Sequence, residues 1–590
     1  MLDIKITNGL IVDGTGSEPF HADLGILQGK IVSIGTVDED ATKTIDASGM
    51  IVTPGFIDLH THYDGQNSWD ETLAPSVYHG ITTAVTGSCG VGFAPCRVQD
   101  RERLIRLMEG VEDIPGTALS EGMVWGWETF PEYMEAMDAM PHCIDFATQV
   151  PHDALRVYVM GDRAVSHEAA SAQDIADMQK LLREALDAGA AGFSTGRSDV
   201  HRSADGDWTP ASEASQEELV GLAQAFAGFE HGVLQMVNDF DLERDPNRFD
   251  AEFDILEAFA RAGAGRNMSL SLMQRDMAPN QWCKILERVD AAKKNDLTIH
   301  VQVAPRGIGV MVGLSCTFHP FMGFPSYKAI ADKPLEERVA SMREPDFKAK
   351  MLTETSESVS GEGSSVPPLV DIFLQNLEMV SAKLFRLGEQ PDYEQPFEQS
   401  IYMQAKAAEM PVLEAIYEAV LENDGRALLY FPIYNYTEFD YANVLSMLKH
   451  PQAIPGLSDG GAHVGTVCDA SFPTYTLSHW TRDRTRGEKI ELKDAVHFMT
   501  EVPAQYMGFY DRGVLKEGAK ADINVIDHEK LNLKHPQMIK DLPGGGQRLM
   551  QHAQGYRATI VSGQIVLEND VLTDARPGRL VRLHELSAKA

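Results

Sequence analysis

Two histidines separated by one residue, His60 and His62, end an apolar run near the start of the chain. In an extended strand alternate side chains share a face, so both imidazoles project together while Thr61 points the other way. Two imidazoles on one strand face can hold one metal ion. A lone pair of this kind also occurs where histidines only satisfy hydrogen bonds, so it predicts a metal site only with partners from elsewhere in the chain.

Two further residues of metal-binding type follow other predicted strands. Cys89 lies in Ser88-Cys89-Gly90, just after residues 82–86, and Asp459 follows residues 454–457. Thiolate and carboxylate are, like imidazole, good donors to Zn²⁺. On its own a free cysteine is most often a small buried hydrophobe, and an Asp-Gly pair is most often a turn. Their function therefore depends on the elements that position them.

Strand and helix patterns alternate between these residues, which predicts an α/β fold with a parallel (β/α)₈ TIM-like barrel. In such a barrel the C-terminal ends of the strands meet over one face, so His60, His62, Cys89 and Asp459 are expected to converge there. The predicted barrel strands cover residues 51–59, 82–86, 143–150, 191–196, 233–237, 268–272 and 297–304, and the segments 427–431 and 454–461 are predicted to close the barrel.

Short strand patterns at both ends of the chain predict a second, smaller β-domain. The predicted division assigns residues 1–54 and 508–590 to this domain and residues 55–507 to the barrel. A segment at about 310–410 is too long for an ordinary loop and is predicted to be an insertion over the active site.

Composition narrows the classes of partner. The 590-residue chain has a formal charge of −36, which argues against nucleic acid and anionic membranes as partners. No segment reaches the roughly 20 apolar residues that span a bilayer, and no signal-peptide pattern begins the chain. Six cysteines without a CxxC pair suit a reducing compartment, so a cytoplasmic location is expected. Homo-oligomerisation is left open.

Longer motifs in the sequence resemble those of a known protein family. Residues 55–64 resemble the first barrel strand of the amidohydrolase superfamily, and the paired terminal segments resemble its β-sandwich domain. Within this superfamily the sequence resembles one branch more closely, the N-acyl-D-amino-acid deacylases (D-aminoacylases). This resemblance lies in residues 83–90, 125–130, 192–196 and 575–579. The resemblance implies that His60, His62 and Asp459 bind metal, and that Cys89 replaces the carboxylated lysine usual in the superfamily.

The sequence departs from this branch at its second metal position. Gln235 stands where the branch has a histidine on the fifth strand, and residues 271–274 on the sixth strand contain no imidazole. Amide and thioether groups are poor ligands for Zn²⁺. We therefore expect one zinc ion per chain, with another divalent metal as the alternative, and Gln235 becomes a candidate substrate contact.

Substrate-binding residues are harder to assign. Arg306 replaces an aromatic residue of the branch and could clamp a substrate carboxylate, although a surface salt bridge is an equal alternative. His300, His152 and His463 are further candidates. For a lone strand histidine a structural role is the common alternative.

The predicted function is hydrolysis of a non-peptide C–N (amide) bond in a small-molecule substrate. Metal-bound water would be the nucleophile and Asp459 the proton shuttle. Hydrolysis of an ester, lactone or cyclic amide, or a metal-dependent decarboxylation, remain alternatives because one barrel hosts many chemistries. A non-catalytic binding protein is a further alternative, which retention of His60, His62 and Asp459 disfavours.

Overall fold

A parallel barrel forms the centre of the protein. The computed structural model describes residues 1–587 except 243, 362, 363, 365 and 367. Within these residues, eight parallel strands lie side by side in chain order, with the last next to the seventh. A bridge between Thr61 and Gly460 joins the first strand region to the chain after the eighth strand. The barrel strands are Phe56–Asp58, Ile81–Thr86, Asp145–Pro151, Gly192–Arg197, Val233–Asn238, Met268–Leu272, Ile299–Val303 and Ala453–Pro455. The predicted fold class is therefore confirmed.

Helices follow the strands and cover the barrel. The helix Ala172–Asp187 illustrates why: a capping box between Ser171 and Asp174 begins it, and its buried side chains recur at helical spacing. The main helices between strands are Arg101–Glu112, Phe130–Asp138, His152–Met160, Ala172–Asp187, Gln216–Ala223, Phe249–Ala262, Gln281–Lys294 and Ala442–Leu448. In the described parts of the chain, no helix is both long and apolar enough to cross a bilayer.

The first predicted strand, residues 51–59, divides between two sheets. Ile51–Pro54 pairs with Ile523–Ile526 of the terminal sheet, whereas Phe56–Asp58 pairs with the second barrel strand. Gly55 lies at the crossing, where an added Cβ would come within 2.1 Å of the Thr82 side chain. A residue without a side chain is therefore required at the point where the chain enters the barrel.

Strands from both chain ends form a single terminal sheet. Leu2–Ile11 pairs in parallel with Ala41–Asp46 through its first half and with Ile51–Pro54 at its end. Because this strand changes its partner, the sheet splits into two parts, and an apolar core lies between them. The described strands of this sheet are Leu2–Ile11, Phe20–Leu27, Lys30–Gly35, Ala41–Asp46, Ile51–Pro54, Ile523–Ile526, Tyr556–Val561, Gln564–Glu568 and Val571–Leu572. This arrangement matches the predicted sandwich-like domain built from both termini.

The segment between the seventh and eighth barrel strands forms a subdomain with its own apolar core. It begins at the strand Gly309–Val312 and includes the strand Leu429–Pro432, which pair antiparallel. The prediction that residues 427–431 help close the barrel was therefore wrong. A short apolar run is compatible with any buried strand, and its sheet cannot be read from its pattern. The described helices of this subdomain include Leu335–Arg343, Pro345–Met351, Pro368–Gln375, Ile401–Ala407 and Val412–Gly425.

Candidate metal centre

The ends of the first and second barrel strands bring three metal-binding side chains together. Nδ1 or Nε2 of His60 and His62 and Sγ of Cys89 lie within 4.8 Å of one another, and all three residues are buried. Thr61 turns away, with its hydroxyl donating to the carbonyl of Val85 at 2.8 Å. The alternation predicted for this strand end thus holds, and both imidazoles face the mouth of the barrel.

Asp459 joins this group from the end of the eighth strand. Its Oδ1 lies 3.3 Å from His60 Nε2 and 3.8 Å from His62 Nε2. Its backbone N–H donates to the carbonyl of His60 at 3.1 Å, which fixes the two strand ends against each other. The side chain of Asp459 is 18% exposed, whereas those of both histidines are 1% exposed. We refer to His60, His62, Cys89 and Asp459 as the His-Cys-Asp cluster.

Gln302, behind His60, sets which nitrogen of that ring carries the proton. His60 Nδ1 lies 2.6 Å from Gln302 Oε1 and 3.0 Å from Gln235 Nε2. The shorter contact requires Nδ1 to donate, so we assign the proton to Nδ1, and Gln235 Nε2, itself a donor, then has no acceptor on the ring. The lone pair of Nε2 then faces Cys89 Sγ at 3.2 Å and Asp459. This is the orientation that a metal-binding imidazole needs.

The cluster fits a metal ion by its spacing and by its charge. Bonds of about 2.0–2.3 Å arranged tetrahedrally separate their donors by about 3.3–3.7 Å, close to the distances that separate His60 Nε2 from its partners. Burial raises the pKa of the Cys89 thiol and lowers that of His62, both well away from their ordinary values. A bound cation would reverse the shift of Cys89, because it favours the thiolate, and would reinforce that of His62, because it binds the neutral imidazole.

Glu112 lies directly behind the cluster and is absent from the residues that the sequence predicted. It ends the helix Arg101–Glu112 and is almost fully buried. Oε1 is 3.3 Å from His62 Nδ1 without hydrogen-bonding alignment, and Oε2 is 3.5 Å from His463 Nε2. Burial, with Asp459 and Asp64 nearby, raises the pKa of Glu112 well above its ordinary value. A glutamate on a helix after the second strand carries no spacing signal that would have revealed it.

The predicted substrate contacts divide into two groups. His463 lines the cavity above the cluster. Gln235 does lie on the fifth strand, but it contacts the His60 ring and a further glutamine, Gln149, rather than the cavity. The sixth strand end contributes Ser271 and Met273 to the cavity wall.

Arg306, His300 and His152 lie away from this cavity. Arg306 is fully buried, with a guanidinium nitrogen 2.8 Å from Asp469 and its plane over the Tyr393 ring. His152 contacts Thr195 and Glu218, and His300 packs against the Tyr506 ring near the opposite end of the barrel. These contacts give the three residues structural roles, and the prediction that they bind substrate is not supported. The sequence could not separate these roles, because buried ion pairs and substrate clamps use the same residue types.

The cavity above the cluster has a volume of about 360 Å³. Its polar lining includes His201 and Asp239, which follow the fourth and fifth strands and were also missed by the sequence analysis. The insertion subdomain supplies an apolar wall opposite the cluster. The arrangement places metal-binding and acid-base groups at the floor of a pocket large enough for a small molecule.

The family and fold agree with this site. The Amidohydrolase family model matches residues 43–567. A D-aminoacylase of Alcaligenes xylosoxydans xylosoxydans is 33% identical over 231 residues, which cover 39% of this chain and 43%, less than half, of that relative. The N-acyl-D-glutamate deacylase of the same organism is 26% identical over 538 residues, covering 89% of this chain and 87% of that protein.

Solved structures extend the likeness over nearly the whole fold. A crystal structure of D-aminoacylase superposes with a TM-score of 0.64 at 22% identity, covering 98% of this chain and 99% of that one. The N-acyl-D-glutamate deacylase of Bordetella bronchiseptica, described as complexed with zinc and a phosphonate inhibitor, gives a TM-score of 0.62 at 25% identity, with the same coverage.

A barrel with side chains of metal-binding type gathered at the C-terminal ends of its strands is the arrangement expected of metal-dependent hydrolases. This chain belongs to the amidohydrolase family and is an enzyme related to the D-aminoacylases.

Proposed function

We propose that this enzyme hydrolyses a non-peptide amide bond in a small molecule with the help of one zinc ion. The observation that carries the proposal is the convergence of His60, His62, Cys89 and Asp459 at the floor of one cavity. These four residues would hold the ion. When bound, zinc would polarise the scissile carbonyl and make a water molecule more acidic.

Asp459 is proposed to carry the proton. It is the cluster member with the largest exposed fraction, so its carboxylate can reach both a water molecule and a substrate in the cavity. It would take a proton from the attacking water and return it to the leaving nitrogen. His60 would be held in one orientation by its hydrogen bond to Gln302, and Glu112 lies beside His62.

His463 is proposed as a substrate contact, because it lines the cavity beside Glu112. We also propose the domain division given above, residues 1–54 with 508–590 and residues 55–507, of which residues 588–590 and the five positions named earlier lie outside the described chain. The cytoplasmic location and homo-oligomerisation stay predictions.

Metal analysis combined with a substrate panel tests the proposal. We expect close to one zinc ion per chain after purification and dialysis, and hydrolysis of at least one amide class in a panel of N-acyl-D- and N-acyl-L-amino acids, simple amides, lactams and esters. A metal-free protein that hydrolyses amides, or a zinc-loaded protein that cleaves only esters, would contradict the proposal.

A further inference from the structure

We infer that the preferred substrate is an uncharged, apolar amide and that the cavity selects against the free carboxylate of an N-acyl amino acid. This inference rests on the proposed function, whose substrate class it names. Two independent features of the cavity carry it: the apolar wall from the insertion and the sign of the charges around the cluster.

The wall opposite the cluster is apolar. It includes Val310, Phe318, Met322, Phe373 and Ile433, all of which belong to the insertion subdomain and face the cavity. Each is only partly buried within the protein itself, so part of its surface is available to a ligand. An acyl chain or apolar amine placed here would remove that surface from water.

The ionisable side chains around the cavity, apart from its histidines and one tyrosine, are acidic or cysteine. In the part of the chain that the structure describes, the lining includes Glu109, Glu112, Asp113, Asp239 and Asp459 but no lysine or arginine. A substrate carboxylate would enter this pocket without the guanidinium or ammonium partner that usually compensates it.

Arg275, which contacts the cavity-lining Asp239, and Arg306, the predicted carboxylate clamp, are both already paired. Arg275 places a guanidinium nitrogen 2.9 Å from Oδ1 of Asp239 and another 3.1 Å from Gln281. His463 lies beside the buried carboxylate of Glu112. Arg306, the sequence-based candidate for a carboxylate clamp, is committed to Asp469. Among the described residues, the pocket therefore offers a substrate carboxylate no free arginine or lysine, and it accepts neutral groups.

A matched set of substrates tests the inference. We would compare kcat/KM for N-hexanoyl-D-leucine and N-hexanoyl-L-leucine with that for their carboxamides and for N-hexanoyl-3-methylbutylamine, which lacks the carboxylate and has no stereocentre. The absence of one charge-assisted partner predicts a preference of about 10- to 100-fold for the neutral compounds. Equal or faster hydrolysis of a free acid would overturn the inference and leave the proposed function standing.

Acyl-chain length provides a second arm. Lengthening the acyl group of the neutral compound from acetyl to hexanoyl should raise kcat/KM by up to about fourfold per methylene until the cavity is filled. A flat series would remove the apolar wall from the argument. If no compound is hydrolysed, the proposed function fails, and dissociation constants from calorimetry on the same acid and carboxamide pairs still decide the inference.

A charge introduced into the wall should reverse the selectivity. Val310 is half-buried, faces the cavity and pairs with Phe431 in the insertion sheet. Val310→Lys should raise the ratio of acid to carboxamide kcat/KM at least tenfold, whereas Val310→Met, of similar length but uncharged, should keep the wild-type ratio. The ratio does not depend on the folded fraction of either variant. An unchanged ratio in the lysine variant would refute the electrostatic part of the inference.

Discussion

Replacing Asp459 by asparagine separates proton transfer from metal retention. Asparagine keeps the size and one oxygen donor of the aspartate but loses its basicity. Asp459 adopts a left-handed backbone conformation, with φ of +49°, and asparagine tolerates this region better than most residues. The substitution therefore tests the carboxylate with little added backbone strain.

The expected changes in zinc content and kcat follow from which side chains of the cluster remain after the substitution. Both imidazoles and the Cys89 thiol remain, so zinc should stay bound at close to one ion per chain. A positioned general base contributes roughly 10²–10⁴ in rate, so kcat should fall by that factor. Asp113→Asn is the matched control, because Asp113 lines the same cavity and has φ of +48° but lies outside the His-Cys-Asp cluster. It should lower kcat by less than about tenfold.

The assay measures zinc by mass spectrometry and kcat on the same preparations, using the best amide from the substrate panel. An Asp459→Asn enzyme that keeps both its zinc and most of its activity would refute the reasoning, and the proton would have to pass through another residue. Loss of zinc in this variant would assign Asp459 to metal retention instead.

Three further predictions concern the two histidines of the cluster, the glutamate beside them and a buried histidine elsewhere in the protein. His60→Ala and His62→Ala should each lose zinc and turnover while circular dichroism and the unfolding cooperativity remain those of a folded protein; full activity in either would remove the metal from the mechanism. Glu112→Gln removes the carboxyl group beside His62 and should weaken zinc affinity by about 10- to 100-fold, measured by competition with a chelator; unchanged affinity would make Glu112 purely structural. His79, buried between Thr474 and the carbonyl of Gln551, has its pKa lowered by burial to about 3. The unfolded chain then binds more protons than the native state below about pH 6.5, so this residue should cost about 2 kcal/mol of stability between pH 7 and 5. Urea unfolding of His79→Gln should show a shallower pH dependence in that range, and an identical slope would contradict the prediction.

The parts of the fold that sequence could predict are those governed by local periodicity. His60 and His62 share a face because side chains alternate along a strand, and the strand ends converge because the barrel is parallel. The prediction that the apolar run at 427–431 belongs to the barrel was wrong, because such a run has the same periodicity in a barrel strand and in the insertion sheet.

The residues that sequence missed act through contacts between distant segments. Glu112 reaches His62 and His463 only because a helix end packs against the segment that follows the eighth strand, and nothing in its local sequence distinguishes it from an exposed glutamate. Arg306 illustrates the opposite error. Its replacement of an aromatic residue suggested a substrate clamp, but Asp469 compensates its charge within the protein interior. Long-range pairing therefore decides which charged residues are free to meet a substrate.

The members of the His-Cys-Asp cluster have different proposed roles in holding the metal ion and in transferring the proton. His60, His62 and Cys89 are buried, and their donor atoms are oriented by strand pairing and by Gln302. Cys89 and Asp459 both adopt left-handed conformations, which cost of order 1 kcal/mol or more each and persist only where surrounding contacts impose them. For Asp459 such a contact is the backbone hydrogen bond to His60. Since this bond joins the two strand ends that carry the donors, forming the barrel also assembles the site, and Asp459 remains the donor most open to the cavity.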